Sequence, residues 1–387
     1  MSLGRKIYII ITPYYPCNSS HVGSYIFDQA KIINSNNEFS VKVIKLVSVF
    51  SKERNYNFKG IDVKIFKVID LPFFILPGLF NNINSIRFKQ FLKDQKLINN
   101  LYVVHGHVCY PSAYLANVIA SMIKVKTIIQ HHGIDVLQLL NGRFNYIKNI
   151  QRNFLINRSI RQLNRLGLNV SVSNKVRLAL HSYSNYKPKN EFILYNGVDR
   201  DKFYNTNSVK THDKYLIGCI ANFWPIKDHI SLLKAIELLI LDGITDIQLK
   251  LIGTGETLQF CKDYVTDNNL SSFVIFENET EHDLINNFYN EIDLFVLPSY
   301  YEALGCVYLE SWSTSTPFIA IKNQGISELI PDYEIDNFLA DEKSPSSLKE
   351  KILGEYNKKR SYPFDVKYDI RNTIKEFMSY SFFKSDD

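Results

Sequence analysis

The sequence predicts an α/β protein made of two doubly wound domains, each a parallel sheet covered by helices on both faces. Three observations predict it. Short runs rich in Ile, Val and Leu alternate with segments of helix length along the chain. Those runs are almost continuously apolar, as strands buried on both faces are, instead of alternating in polarity. The alternation also restarts once, after a polar stretch from Asn205 to Lys214, and 387 residues suit two domains better than one.

In the first half the strands read as Lys6–Ile11, Val41–Val47, Val63–Val68, Leu101–His105, Thr127–His131, Asn169–Ser173 and Phe192–Tyr195. In the second half they read as Tyr215–Ala221, Gln248–Ile252, Phe273–Phe276, Leu294–Leu297, Pro317–Ile321 and Asn337–Leu339. Ligands of such sheets bind beyond the carboxyl ends of the strands, so two domains of this kind predict a site in the cleft between them.

Composition narrows the class. Hydrophobic residues make up 45% and charged residues 22%, the profile of a soluble globular protein and not of a disordered or fibrous one. A chain this long buries enough surface to need neither disulfide nor metal for its core. No apolar run approaches the roughly 18 residues of a membrane span. Arg5 and Lys6 are followed by no small-residue cleavage site, and no secretion signal is expected. The cysteines (Cys17, Cys109, Cys219, Cys261, Cys306) are scattered, with no C-x-x-C pair. That excludes a zinc ribbon, argues against a disulfide scaffold and implies a reducing compartment.

The net charge of +6 hides an asymmetry. Residues 1–190 hold 26 Lys and Arg against 7 Asp and Glu, a balance of +19, whereas residues 191–387 carry −13. Between Asp135 and Glu191 there are ten basic residues and no acidic one. Any single Lys or Arg here reads best as part of a solvated helix face. The summed imbalance reads as a footprint for a polyanion, either nucleic acid or an anionic membrane.

The chemistry sits at strand ends. The strand at 294–297 leads into Pro298-Ser299-Tyr300-Tyr301 and then EALGCVYLE over 302–310. Glu302 falls in the loop at the strand's carboxyl end, Gly305 opens a helix, and Glu310 lies a little over one turn inside it. A helix N-terminus behind a glycine is a ready anion site, because unpaired backbone N–H groups and the positive end of the dipole point outward. Carboxylates on either side suit a ligand with hydroxyls flanking a phosphate, such as a nucleotide sugar.

Over 293–320, DLFVLPSYYEALGCVYLESWSTSTPFIA resembles the donor-site signature of the family 4 retaining glycosyltransferases, which have the GT-B fold: two facing Rossmann-like domains with parallel sheets and an interdomain cleft. The resemblance runs from the first strand to about Ile330. It implies an acceptor-binding domain over 1–205, a nucleotide-sugar domain over 206–365, and a C-terminal helix within 366–387, with Tyr368 to Tyr380 as candidate, crossing back to the first domain. By the same resemblance Glu302 binds hexose hydroxyls, Glu310 the ribose, and the amides of Gly305, Cys306 and Val307 the distal phosphate. Gln324-Gly325-Ile326-Ser327-Glu328 resembles the family's G-G-x-x-E with Gln in place of the first Gly; Glu328 reads equally as a structural helix-start carboxylate.

Further segments extend the resemblance. IANFWPIKDH (220–229) occupies the place of G-R-x-x-x-x-K-G, which puts Lys227 on the donor diphosphate and Asn222 where the family has Arg. Without that guanidinium fork, Lys227 and backbone amides must carry more of the leaving-group charge. LIGTGE (251–256) matches a strand-turn-helix G-x-G, with Gly253 and Gly255 allowing close approach near the nucleotide. In QHHGIDV (130–136), His132 is expected to face the donor sugar and Asp135 to cap the next helix. In VVHGH (103–107), His105 and His107 read as packing residues, with His107 the better placed to meet acceptor. Gly23 takes the glycine-loop position where backbone approaches donor phosphates or acceptor. YNGVDRDKF (195–203) matches the segment closing the first domain, and its Asp199-x-Asp201 is not read as a metal site, because GT-B enzymes stabilise the leaving diphosphate with side chains and helix dipoles.

The implied reaction moves a glycosyl group from a nucleotide diphosphate sugar to a hydroxyl with retention, without metal or other cofactor. The basic first domain suggests the cytoplasmic face of an inner membrane, with Phe73 to Phe80 as a segment that could dip into the interface. The acceptor would then be a lipid-linked or other oligosaccharide of O-antigen or capsule assembly. The alternatives are a nucleotide-sugar epimerase of the same fold and a non-enzymatic polyanion binder. The full E-x7-E context speaks against the first. The lack of interleaved basic and aromatic residues speaks against nucleic acid.

Overall fold

The computed structural model describes residues 5–18, 20–71, 77–133, 148–207, 213–280, 284–358 and 363–384, with the backbone alone for 148–154. The chain divides into two compact units, Met1–Tyr195 with Thr373–Asp387, and Asn196–Asn372.

The first unit is built on an eight-stranded sheet of β1 (Lys6–Thr12), β2 (Phe39–Ser48), β3 (Tyr56–Phe58), β4 (Ile61–Val68), β5 (Leu101–His107), β6 (Lys126–His131), β7 (Leu168–Ser171) and β8 (Glu191–Ile193). Its order is β3-β4-β2-β1-β5-β6-β7-β8. Tyr8 to Ile11 of the central β1 are wholly buried, as a strand covered on both faces requires. Helices α1 (Ser24–Ser35), α2 (Asn81–Asp94), α3 (Tyr114–Ala120), α4 (Lys148–Leu163) and α5 (Asn174–His181) connect the strands. At the start of α5, the Ser173 hydroxyl accepts from the Val176 amide at 3.3 Å, an N-cap of the preferred kind.

The second unit holds a six-stranded parallel sheet of β9 (Tyr215–Ile220), β10 (Ile247–Ile252), β11 (Val274–Glu277), β12 (Leu294–Val296), β13 (Phe318–Ile321) and β14 (Leu339–Ala340), in the order β11-β10-β9-β12-β13-β14. Its helices are α6 (His229–Leu241), α7 (Leu258–Asp267), α8 (Ile285–Glu291), α9 (Cys306–Ser313), α10 (Ile335–Phe338) and α11 (Pro345–Lys358). Leu232, Leu233, Ala235, Ile236 and Leu239 form the buried stripe of α6, at the three- and four-residue spacing of an amphipathic helix.

Each predicted strand is present, with ends moved by up to two residues. The strand not predicted is β3, which pairs antiparallel with β4. Lys59 and Gly60 between them both have positive φ, 46° and 88°, the turn whose twist matches a tight hairpin. Lys-Gly is a weaker signal for that turn than Asn-Gly.

At the chain's end come α12 (Ile370–Ser379) and α13 (Ser381–Lys384). Phe377 is fully buried, with its ring 5.5 Å from that of Phe192. Tyr102 Oη donates to the Phe383 carbonyl at 2.9 Å, and Lys126 Nζ to that of Phe382 at 2.8 Å. The units divide before Asn196, upstream of the polar stretch read as a linker. Asn196 to Thr206 are held in the second unit by a bridge between Val198 and Asp369, by Ser313 Oγ donating to the Phe203 carbonyl at 2.7 Å, and by Asn290 side-chain bonds to Tyr204 and Thr206.

Candidate active site

In the second sheet β9 lies between β10 and β12, so chain crossovers leave it in opposite directions. That topological switch point is where doubly wound sheets open a crevice at their carboxyl ends. The loops that follow β9, β10, β12 and β13 carry the predicted donor residues, and hydrogen bonds tie these loops together.

Lys227, after β9, and Glu302, after β12, form an ion pair across the switch point through Lys227 Nζ and Glu302 Oε1. The side chains are 23% and 13% exposed, so the pair is partly screened from water while reachable from it. Their loops are fixed to each other by backbone. The Tyr300 amide and the Ser299 hydroxyl both donate to the Ile226 carbonyl, at 3.1 Å each. An ammonium has three donors, so Lys227 can hold Glu302 and still offer N–H to an incoming phosphate.

Glu302 is also fixed from the far side. Its amide donates to Gln324 Oε1 at 2.8 Å, while Gln324 Nε2 donates to the Tyr300 and Lys322 carbonyls at 3.1 and 3.3 Å. The Gly325 amide donates to the Glu302 carbonyl at 3.2 Å. A Cβ on Gly325 would stand 1.9 Å from the Ala303 carbonyl oxygen, so only glycine lets the loops after β12 and β13 touch. Sequence reasoning noted Gln324 as a departure and assigned it no task. Its length and paired donor and acceptor were the available signal.

Gly305, at φ 86°, caps α9 in the left-handed region, and a Cβ there would lie 2.6 Å from the Tyr308 ring. The helix therefore begins with its first amides, Cys306 and Val307 among them, at the carboxyl end of β12. Asn196 Nδ2 donates to Cys306 Sγ at 3.4 Å. Glu310 is half-buried, and its Oε2 accepts from Tyr289 Oη at 2.9 Å. Burial first, then the Glu310 charge, pushes the Tyr289 hydroxyl far up, so it stays a donor.

Gly253 and Gly255 have φ of 144° and 148°. Added Cβ atoms would stand 2.2 Å from the Ala221 oxygen and 2.5 Å from that of Phe223. The close approach they permit is thus to the backbone of the β9 loop, which the Phe223 amide joins to the Thr254 carbonyl at 2.8 Å. Asn222 accepts from the Trp224 amide through its own carbonyl at 2.8 Å. Trp224 itself is 55% exposed two residues before Ile226, an aromatic in a proline turn that the sequence reading passed over. Beside the loop, His229 is buried and stacks on Phe223 at 4.0 Å. Burial, followed by the charge of Lys227, pushes its imidazole down to about 4.

In the first unit His132 follows β6 and is partly exposed. His107, at the end of β5, is 0% exposed, which corrects the expectation that it meets acceptor. What it meets is His132: Nδ1 of His107 lies 2.8 Å from Nε2 of His132. Gly23, at φ 88°, opens α1, and a Cβ on it would lie 2.7 Å from the Tyr14 carbonyl, so the backbone it admits is that of Tyr14. Asp135 lies outside the described residues. Asp199 and Asp201 both face Arg371, the latter in direct contact, so this D-x-D faces a guanidinium. Glu328 sits in the short 3-10 turn Gly325–Leu329.

Comparison with known proteins covers both units. Residues 201–361 match the family model described as glycosyl transferases group 1, and residues 44–202 match that of glycosyltransferase family 4. An uncharacterised glycosyltransferase of Methanocaldococcus jannaschii, MJ1178, is 27% identical over 254 residues, 65% of this chain and 64% of that protein. A UDP-Gal:alpha-D-GlcNAc-diphosphoundecaprenol alpha-1,3-galactosyltransferase of Escherichia coli is 28% identical over 158 residues, 38% of this chain and 40% of that protein. Among solved structures, sucrose-phosphate synthase of Thermosynechococcus elongatus superposes with a TM-score of 0.71 at 13% identity, covering 96% of this chain and 94% of the other. Anabaena HepE in complex with UDP and glucose gives 0.65 at 16% identity over 97% and 95%. These likenesses identify the fold as GT-B.

Proposed function

The chain belongs to glycosyltransferase family 4, and from that premise we propose that it transfers a hexosyl group from a nucleotide diphosphate sugar to a hydroxyl, with retention and without a metal. The observation that carries this reading is the Lys227–Glu302 pair beside the N-terminus of α9 at the switch point of the second sheet. A cation and a row of helix amides suit the departing diphosphate, whose charge grows in the transition state. Glu302 suits the hexose hydroxyls, and Glu310 the ribose.

In this reading the acceptor oxygen bonds to the anomeric carbon on the face the diphosphate leaves. The bond from that carbon to the phosphate oxygen breaks, and the acceptor proton passes to that oxygen. We further propose His132 as a hydrogen-bonding group toward substrate.

The acceptor proposed is a lipid-linked or related glycan in cell-surface polysaccharide assembly, reached by an enzyme peripheral to the cytoplasmic face of the inner membrane. The E. coli relative's name, with its diphosphoundecaprenol acceptor, supports that class. No helix among the described residues is long and apolar enough to cross a membrane. On α2, Ile83 and Ile86 are exposed, and Arg54, Lys67, Arg87, Lys89 and Lys93 outnumber Glu53 and Asp94 around a groove beside Ile86. Exposed aliphatic side chains within a cationic rim suit an anionic bilayer surface.

Release of nucleoside diphosphate from UDP-glucose, UDP-galactose, UDP-N-acetylglucosamine and GDP-mannose tests the reading. Turnover of at least one, abolished by Lys227→Ala, is expected. Absence of both turnover and thermal stabilisation by UDP and GDP would overturn it.

A further inference from the structure

The turn that carries Lys227 also carries an aromatic side chain without a task in the chemistry above. The chain has two tryptophans, of which Trp312 is 3% exposed and Trp224 55%. Trp224 stands in extended backbone just before the 3-10 turn Pro225–Lys227, and its carbonyl accepts from the Lys227 amide at 2.9 Å. Among the described residues no hydrogen bond or ring contact engages its indole.

Single exposed apolar side chains are ordinary on a protein surface. Trp224 differs in how firmly its backbone is held. On one side, the Phe223 amide donates to the Thr254 carbonyl at 2.8 Å and the Phe223 carbonyl accepts from the Thr257 amide at 2.9 Å. The Phe223 ring is wholly buried against His229. On the other side, the Ile226 carbonyl accepts from the Tyr300 amide and the Ser299 hydroxyl. The loops after β10 and β12 thus clamp the turn at both ends, and Pro225 fixes one φ within it. A tryptophan has only two side-chain torsions to lose, so on a fixed backbone it offers a flat contact surface at little entropic cost.

Chemistry selects the ring that lies on it. In the reading above, Lys227 holds the departing diphosphate, Glu302 the hexose and Glu310 the ribose. The nucleobase is therefore at the far end of the donor from the Lys227–Glu302 pair. Attack on the face the diphosphate leaves brings the acceptor against the diphosphate at its sugar end, beside the turn of Trp224 and Lys227. A pyranose has an apolar face of C–H groups and a rim of hydroxyls. The face matches an exposed indole, and the rim stays free to hydrogen-bond.

We propose that Trp224 is the platform on which the terminal pyranose of the acceptor stacks, and so a specificity-determining residue for the acceptor. The proposal rests on the parts given to Lys227 and Glu302 above. Stacking reads the face of the sugar and sets its distance from the Lys227 turn, while the hydroxyl that attacks is left at the rim.

The test is indole fluorescence of the full chain, taken as the difference between wild type and Trp224→Phe, so that the signal is that of Trp224. The probes are UDP and GDP alone, then the methyl α-glycosides of glucose, galactose, mannose and N-acetylglucosamine in the presence of either nucleotide. At least one glycoside should move the Trp224 emission to shorter wavelength, as a sugar face replaces water on the ring, and should accept a glycosyl group from one of the four nucleotide sugars. Trp224→Ala should raise the KM for that glycoside about tenfold, the scale of one lost stacked ring, with a much smaller change in the KM for donor. Trp224→Phe should recover part of the loss, because a smaller ring still stacks. Quenching of Trp224 by UDP or GDP alone would put the indole on the nucleobase and overturn the proposal. Emission unmoved by every glycoside, or a wild-type glycoside KM in Trp224→Ala, would overturn it as well and leave transfer at Lys227 standing. Absence of donor turnover would instead remove the reading beneath it, and the Trp224 emission would then decide sugar binding alone.

Discussion

Gln324 holds the backbone of Glu302: its Oε1 accepts the Glu302 amide at 2.8 Å, and its Nε2 reaches the carbonyls of Tyr300 and Lys322. The resemblance places a glycine at this position, where no side chain could make those bonds. Gln324→Ala leaves one amide and two carbonyls short of a partner in a buried corner, which costs about 1–3 kcal/mol. A lower unfolding midpoint in urea is expected, with weaker donor turnover because the Glu302 loop is less fixed. Wild-type stability in Gln324→Ala would mean that water replaces the amide at no cost.

Lys227→Ala and Glu302→Ala separate chemistry from folding. A partly exposed ion pair adds at most about 1 kcal/mol to stability, so both variants should remain folded. Loss of a group aimed at developing charge removes about 10²–10³ of turnover. The expected pattern is near-native melting with turnover at or below a hundredth of wild type. Lys227→Arg, longer and planar, should recover part of the loss if charge on phosphate is what matters. Wild-type turnover in all three variants would move the leaving-group site elsewhere.

Much of this architecture was legible because parallel strands buried on both faces announce themselves as apolar runs, and because strand-end residues such as Lys227, Glu302 and Gly305 sit in contiguous motifs. What escaped depends on partners distant in sequence. His107 lies 25 residues from His132, and nothing in VVHGH says that its ring turns inward. Gly253 and Gly255 read as room for a ligand, but what fills the room is the carbonyl backbone of Ala221 and Phe223, more than 30 residues upstream. The polar composition of Asn205 to Lys214 suggested a linker. Yet Asn290 anchors Tyr204 and Thr206, a contact that composition cannot show.

Two glycines should respond oppositely to alanine. Gly325→Ala sets a methyl 1.9 Å from the Ala303 oxygen and must push the Glu302 loop away, so both stability and turnover should fall. Gly354 lies within α11 with nothing within 4 Å of an added Cβ. There alanine removes the helix penalty of glycine, and a gain of roughly 0.5–1 kcal/mol is expected. Thermal melts of the two variants give the comparison; a loss at Gly354 or no change at Gly325 would contradict the packing described.

Acid should weaken the second unit through His229. Its folded-state value is lowered from 6.5 to about 4, chiefly by burial. Between those values the unfolded chain binds a proton that the folded chain refuses, so the stability is complete above pH 6.5 and drains away as pH falls toward 4. The loss amounts to roughly 3 kcal/mol at 1.36 kcal/mol per unit. His229→Phe keeps a ring against Phe223 and has nothing to titrate, so its urea midpoint should decline less than wild type's between pH 7 and pH 4.5. Parallel declines would assign the acid sensitivity to other groups.

Membrane attachment can be divided into charge and apolar parts at α2. Ile86 is 71% exposed, and Lys89 and Lys93 lie on the same helix along the groove. Near an anionic leaflet each such cation is worth about 1 kcal/mol, an attraction that fades over roughly 10 Å at 0.1 M salt. Sedimentation with phosphatidylglycerol vesicles at low salt should therefore pull down the wild-type chain, and phosphatidylcholine vesicles should not. Lys89→Glu with Lys93→Glu should abolish the difference between lipids. Ile83→Asn with Ile86→Asn should leave binding that is weaker and more easily released by salt, because the apolar share of the contact does not depend on ionic strength. Undiminished sedimentation in both double variants would place any membrane contact on another face of the first unit, and none with either lipid would remove it.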